Sequence, residues 1–325
     1  MKKQLSLFAP GAAAGSEGPS FEVEAALAQG MPPHVRLGTS SWTFVGWQGL
    51  VYPPGLTAKR LRAEGLALYA RNPLFSTVGV DRSYYEPLRD ADWAEYAAQL
   101  PEGFRCVVKA WSTLTTRLDP QTKVPNPGYL DRDLCFERVL RPLSRSFAGH
   151  LGALVFEFPP GRGAPALAPR DFVAGLDRFL ARMPPSLPCA VEVRRREYLC
   201  DDYWQCLAAR GAGHVFNYWA GMPPLAIQLK LAPARLPGRL SVCRLLVPPG
   251  GDYEALRAAY APFDRLHRPD PAMREAVRAL AERCGAEGLP LYVLVGNKAE
   301  GSSPLTARAL AELWAPADAG PGRAP

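Results

Sequence analysis

Residues 153–194 read ALVFEFPPGRGAPALAPRDFVAGLDRFLARMPPSLPCAVEVR. Two short apolar runs, Ala153–Phe158 and Cys189–Arg194, bracket a stretch with apolar residues at helical spacing. A near-continuous apolar run of about 4–8 residues is what a strand covered on both faces requires. Between them, the spacing predicts a helix over Asp171–Met183, opened by an Asp cap and stopped at Pro184. Strand, helix, strand in this order is the unit of a parallel sheet.

Working outward, the same kind of run recurs. Arg36–Ser40, Thr77–Asp81, Arg105–Lys109, His214–Tyr218, Val242–Val247 and Tyr292–Gly296 bring the strands to eight. Helical patterns fall between most of them. Thr57–Arg71 starts on a Thr cap, Asp90–Leu100 stops at Pro101, and Asp131–Ser146 carries Leu134, Val139 and Leu143. Asp201–Arg210 is closed by Gly211, while Pro271–Cys284 and Pro304–Trp314 begin with Pro at a favoured first position. Eight alternations predict an α/β chain closed as a (β/α)₈ TIM-type barrel over residues 35–315. The sixth crossover, Ala220–Ser241, is Pro-rich and poor in helical signal, which predicts a degenerate unit. An open doubly wound sheet is the alternative. It is disfavoured because no Gly-rich phosphate turn follows the first strand.

Composition fits one large globular domain, with 48% hydrophobic and 21% charged residues in 325. Seven cysteines without a Cys-x-x-Cys pair read as buried reduced thiols, Cys106, Cys189 and Cys243 among them inside strands. That usage predicts a reducing, cytoplasmic location. No apolar run approaches the roughly 20 residues that span a bilayer. The opening residues, Met1 to Phe8, are too short to supply a signal-peptide core before Pro10 and Gly11. A net charge of +7 is compatible with a polyanionic partner.

Several segments together carry a resemblance. They are Gly38-Thr39-Ser40-Ser41-Trp42 with Trp47, Gly49 and Tyr52-Pro53; Ser83-Tyr84-Tyr85 with Trp93, Phe104 and Lys109; Val191-Glu192-Val193-Arg194; and Asn297-Lys298-Ala299-Glu300-Gly301-Ser302-Ser303-Pro304. In this order the chain resembles the YecE-like family, domain of unknown function 72, from about Val35 to Trp314. The resemblance implies the barrel fold and no defined activity. The family usually has Glu at the position of Gly79, Asn at Asp81, a Thr-His pair at Thr115-Thr116 and Gln at Glu157.

In a barrel of this kind, function sits at the C-terminal strand ends. Candidate catalytic groups there are Glu192, Lys109, Asp81 and Glu157. Glu192 and Arg194, two residues apart, share a facing, and a charged pair against the helix layer would be costly, so both are expected in the mouth. Candidate ligand-binding residues are Trp42, Tyr84, Trp111, Arg194, Asn217, Arg244, Asn297 and Lys298, with Trp219 as a further aromatic wall. Lys109, Arg194 and Arg244 would form a cationic ring suited to phosphate or carboxylate, and the aromatics would stack a base or sugar. Each aromatic taken singly can equally be core. Four scattered histidines give no metal-ligand spacing; Asp81 and Glu157 would accommodate at most a single Mg²⁺. No P-loop, Gly-x-Ser-x-Gly elbow or Cys-His signature is present, and no cofactor is implied.

Gln4-Leu5-Ser6-Leu7-Phe8 resembles the pentapeptide by which bacterial replication and repair proteins dock on the DNA sliding clamp. Leu7 and Phe8 would fill an apolar pocket, with Leu5 part of the same motif, and Gln4 would bond at its rim; the alternative is that Leu5, Leu7 and Phe8 plug the bottom of the barrel or pack on a helix. Residues 9–20 would then be a flexible tether, and residues 316–325 a disordered tail. Three functions follow: a clamp-recruited enzyme on nucleic acid or nucleotide, a non-catalytic nucleic-acid-binding module, or a small-molecule enzyme acting on a sugar or phosphometabolite.

Overall fold

A computed structural model of the chain describes residues 18–119, 121–161 and 166–315. The clamp-like motif at 4–8, most of the predicted tether and the predicted tail fall outside them. Eight parallel strands close into a barrel: β1 (Val35–Thr39), β2 (Thr77–Val80), β3 (Arg105–Lys109), β4 (Leu151–Phe158), β5 (Cys189–Val193), β6 (Gly213–Tyr218), β7 (Ser241–Leu245) and β8 (Leu291–Val295). β1 pairs with β8 and completes the circle. The (β/α)₈ class read from the sequence is the observed one, and each strand lies within two residues of its expected position.

Helices cover the outside. Thr57 caps Ala58–Tyr69 as expected, and Gly211 ends Asp201–Arg210 at φ 65°. Two details differ, and a third, the thin sixth crossover, is as expected. The helix after β4 begins at Pro169, so Asp171 sits in its first turn rather than capping it, because Pro already satisfies a start position that lacks an amide donor. The stretch after Asp131 is interrupted by a π-helical turn, Phe136–Leu140. The sixth crossover keeps one short helix, Leu225–Leu231. Besides the single turn Arg82–Tyr85, two longer helices carried no signal strong enough to be read. Glu22–Gly30 precedes β1 and is tied to the helix Ser303–Ala311 by a Glu24–Arg308 ion pair. Tyr253–Tyr260 follows β7.

Side chains alternate along each strand, and this divides the core in two. Phe156, Val191, Val193, Phe216, Cys243 and Val293 belong to the large cluster beneath the helices. Val107, Ala153, Val155, Ala190, Val215, Val242 and Leu294 form a separate cluster, the lumen. Two residues further along β3, β4, β5, β6 and β7, the lumen-facing positions are Lys109, Glu157, Glu192, Asn217 and Arg244. The barrel interior therefore turns from aliphatic to charged at its C-terminal end. All seven cysteines are free thiols. Among the described residues no helix is long and apolar enough to cross a membrane.

Candidate functional site

The charged top of the lumen is one connected ion network. Glu157 Oε2 meets Lys109 Nζ at 2.7 Å, Arg194 Nη2 at 2.8 Å and Arg244 Nη1 at 2.9 Å. Glu192 accepts from Arg194 Nε at 2.9 Å and from Arg244 Nη1 at 2.6 Å. Asp81 lies 3.5 Å from Arg244 Nη2. The sequence-level picture of a cationic ring is thus only half of the arrangement: Lys109, Arg194 and Arg244 are balanced by Asp81, Glu157 and Glu192. Removing ions from water is costly unless such compensation is close to complete, which is why the two signs interleave.

The electrostatics follow from that packing. Burial opposes ionisation of Glu157, but the charges of Arg194, Lys109 and Arg244 outweigh it and draw the carboxyl down to about 2. Burial likewise opposes the charge of Arg244, and Glu192, Asp81 and Glu157 more than offset it. Three cationic groups crowd Glu157, so it offers no place for a divalent cation. Glu192 is 0% exposed, so its first role is to hold Arg194 and Arg244. Asp81, with its side chain 36% exposed, is the carboxylate of the network with most access to solvent.

Aromatic rings roof the two outer cations. Ser83 Oγ donates to the Lys109 carbonyl at 2.7 Å, which fixes the turn after β2 against β3. Its neighbour Tyr84 then lies with its ring 3.7 Å from Lys109 Nζ. Burial, and next the charge of Glu157, push the Tyr84 phenol upward. Trp219, just past β6, lies 4.1 Å from the Arg194 guanidinium. Above this floor opens a cleft of ≈ 590 Å³ whose lining includes Tyr84, Lys109, Glu157, Arg194 and Trp219. Its walls come from loops: Ser112, Thr115 and Thr116 after β3, Pro159 and Pro160 after β4, and Arg195 and Tyr198 after β5. Tyr85 stands at the rim, 77% exposed. Arg195 forms no salt bridge or side-chain hydrogen bond among the described residues.

The other expected site residues do not line the cleft. Trp42 is buried edge-on against Tyr96 and packs near Gly65 of the helix Ala58–Tyr69, so it is core and not a wall of the mouth. Trp111 is covered by Arg138, outside the cleft. Asn297 Oδ1 accepts from Trp47 Nε1, Ser303 N and Ser303 Oγ at 3.2, 2.9 and 2.8 Å, which makes it a knot between β8, the β1 loop and the last helix. Lys298 points to Tyr253 and Phe263, away from the cleft. Asn217 Nδ2 donates to the Val193 carbonyl at 3.0 Å, while its Oδ1 is buried without a partner. Arg244 is in the network but closed off from solvent.

The Gly38 and Gly301 motif positions are explained by backbone. A Cβ on Gly38 would stand 1.8 Å from the Thr77 carbonyl oxygen, and Gly301 adopts φ 125° beside the Arg265 carbonyl. Arg195, Tyr129 and Tyr198 were not singled out from sequence. The run Arg194-Arg195-Arg196 two residues after Glu192 was the available signal for Arg195.

A family model described as a protein of unknown function, DUF72, matches residues 36–325. Two solved structures are similar in fold. A DUF72 family protein from Enterococcus faecalis V583 is 16% identical, with a TM-score of 0.57, covering 86% of this chain and 96% of that one. A DUF72 family protein from Thermotoga maritima MSB8 is 19% identical, with a TM-score of 0.57, covering 86% of this chain and 98% of that one. No curated protein matches the chain.

Proposed function

The chain belongs to the DUF72 family, and from that premise we propose that its barrel mouth binds a nucleotide-sized, phosphorylated part of a nucleic acid. The observation that carries this reading is the cleft over β3–β5, with two aromatic-roofed cations in its floor and Arg195 in its wall. A volume near 590 Å³ suits a single nucleotide. Tyr84, Tyr85 and Trp219 offer ring faces for stacking. The floor is charge-balanced and is a poor phosphate cradle by itself. Phosphate is better served at the wall, where Arg195 can bind it in a fork and Thr116 adds a hydroxyl.

The motif Gln4, Leu5, Leu7 and Phe8 supports a second element of the reading, recruitment to the DNA sliding clamp, which would raise the local concentration of the barrel near DNA. Calorimetry with a nucleoside 5′-monophosphate, the free nucleoside and ribose 5-phosphate tests the mouth. The monophosphate is expected to bind at least about tenfold more tightly than either fragment, and Arg195→Ala should erase its advantage over the nucleoside. Equal binding of ribose 5-phosphate would favour a phosphometabolite enzyme instead. Loss of clamp binding in a Leu7→Ala/Phe8→Ala variant tests the tether; no binding by the parent protein would remove it.

A further inference from the structure

The mouth cleft does not end at the rim. It shares Arg117, Tyr129 and Leu167 with a groove of ≈ 840 Å³ on the outside of the barrel. That groove follows the helix Pro169–Leu180, whose Asp171, Gly175 and Arg178 line it one turn after another. The helix runs back from the C-terminal to the N-terminal end of the barrel, about 18 Å for its length. At its far end the groove shares Ala181 and Arg210 with a third depression of ≈ 660 Å³. The three form one path from the mouth to the opposite end of the barrel.

The path is strongly positive. The middle groove is lined by five arginines and two aspartates, and one of the aspartates, Asp177, is held by Arg210 in a fork at 2.8 and 2.9 Å. The third depression is lined by Arg210, Arg235 and Arg239 and by no carboxylate. The exposed side chains of Arg178, Arg182 and Arg235 make no hydrogen bond or salt bridge among the described residues. Elsewhere in this molecule some exposed helical arginines are paired with a nearby acid, as Arg141 is with Glu137 and Arg278 with Glu275, and others such as Arg62 are not; what sets Arg178, Arg182 and Arg235 apart is that they stand along one continuous groove. Arg132 is paired with Asp133 and Arg210 with Asp177, and Arg178 and Arg182 lie near the same two acids without bonding to them, so the groove is positive in sum and guanidinium groups stand along it at intervals that match a chain of phosphates.

We propose that the molecule binds single-stranded nucleic acid as an extended strand, its phosphates along this track and one nucleotide in the mouth. The inference rests on the nucleotide reading of the mouth and adds the path of the rest of the ligand. A single strand fits because its bases are free to stack on the rim aromatics Tyr85 and Trp219, and because a cleft of nucleotide size does not admit a duplex.

The test is fluorescence anisotropy of the full chain with labelled oligothymidylates of four and fifteen nucleotides across a salt series. Oligouridylate of the same lengths runs in parallel to separate DNA from RNA. The longer strand is expected to bind more tightly, with a steeper salt dependence. The variant Arg178→Ala/Arg182→Ala/Arg235→Ala should weaken the fifteen-nucleotide strand on the order of 10–100-fold and flatten the log–log salt slope by about 2. Binding of a nucleoside monophosphate should not change in this variant. Equal affinity for both lengths, or an unchanged slope in the variant, overturns the track. Competition by inorganic polyphosphate as effective as that of the oligonucleotide overturns the nucleic acid as occupant. Absence of mononucleotide binding to the parent protein is a separate result and overturns the mouth reading instead.

Discussion

The C-terminal end of this barrel has two halves that solve one problem differently. On the β8–β1 side, the acceptor Asn297 Oδ1 is tied to Trp47 and Ser303 and Tyr52 OH to the Trp42 carbonyl, neutral partners inside the protein. Trp47 and Tyr52 stack in a fully buried plug, with ring centroids 6.4 Å apart. On the β3–β5 side, the strand ends carry full charges that satisfy one another, and a cleft stays open above them. A polar residue at a strand end is therefore an ambiguous sign of function. Closure by neutral hydrogen bonds around a buried aromatic plug marks architecture. A charged floor left open to a cleft marks a place for a ligand.

The largest test of that contrast is Arg244→Met. Arg244 holds Glu157 and Glu192 together from a fully buried position. Removing it leaves buried carboxylates under-compensated and should cost roughly 3–5 kcal/mol in urea unfolding. A neutral result would mean that the floor is not a cohesive unit. The counterpart on the closed half is Asn297→Ala, which strips an acceptor from three donors. About 2–3 kcal/mol is expected, with nucleotide affinity unchanged. A loss of affinity without loss of stability would move Asn297 back among the ligand-binding residues.

Acid provides a third test, because it acts first on neither half. His214, on the helix-facing side of β6, accepts or donates at Tyr203 OH (2.8 Å) and is pushed down to about 3 by burial. Its folded value lies below the unfolded one of about 6.5, so the unfolded chain binds the proton first and stability falls as pH drops below that value. Roughly 2 kcal/mol should be lost by pH 5 in thermal or urea unfolding. Glu157, also depressed, contributes stability that is present above the unfolded carboxyl range of about 4.3 and is lost as pH falls toward 2. Two separate acid phases are expected. His214→Phe should remove the first and spare the second; a single phase near pH 4 in the parent would contradict the assignment of the first to His214.

Strand periodicity made the barrel legible, since eight continuous apolar runs recur and Pro- or Gly-bounded helices fall between most of them. The same alternation, applied to Glu192 and Arg194, placed them in the lumen. It would have placed Lys109, Glu157, Asn217 and Arg244 there too, and the aliphatic residues two positions earlier confirm that facing. What periodicity cannot reach is the loops. Trp42 and Trp111 lie beyond the last residues of β1 and β3, so strand alternation no longer governs them, and both turn outward onto helices. Conversely, Arg195, Tyr129 and Tyr198 enter the cleft from loops whose course only the folded chain defines. The Glu192–Arg194 pair was foreseeable as a structural ion pair at the barrel top, but the full set of carboxylates that balances Lys109, Arg194 and Arg244 was not. It depends on neighbours around the circle, such as Glu157 opposite Glu192, and not on neighbours along the chain.

The smallest effect on stability should come from Trp219, and it is the one that speaks most directly to the open half. Its ring covers Arg194 at 4.1 Å and lines the cleft, yet it packs only against the edge of the core. A cation–π contact at a partly exposed site is worth about 0.5–1 kcal/mol, so Trp219→Ala should cost no more than about 1 kcal/mol in unfolding. Stacking of a base on an aromatic ring is worth roughly 1–3 kcal/mol, which corresponds to a loss of about tenfold or more in nucleotide affinity. Trp219→Phe should restore most of the affinity, because a ring face and not the indole N–H is what the base would use. If the alanine variant binds as the parent does, Trp219 only shields Arg194, and the open half would differ from the closed one in charge but not in purpose.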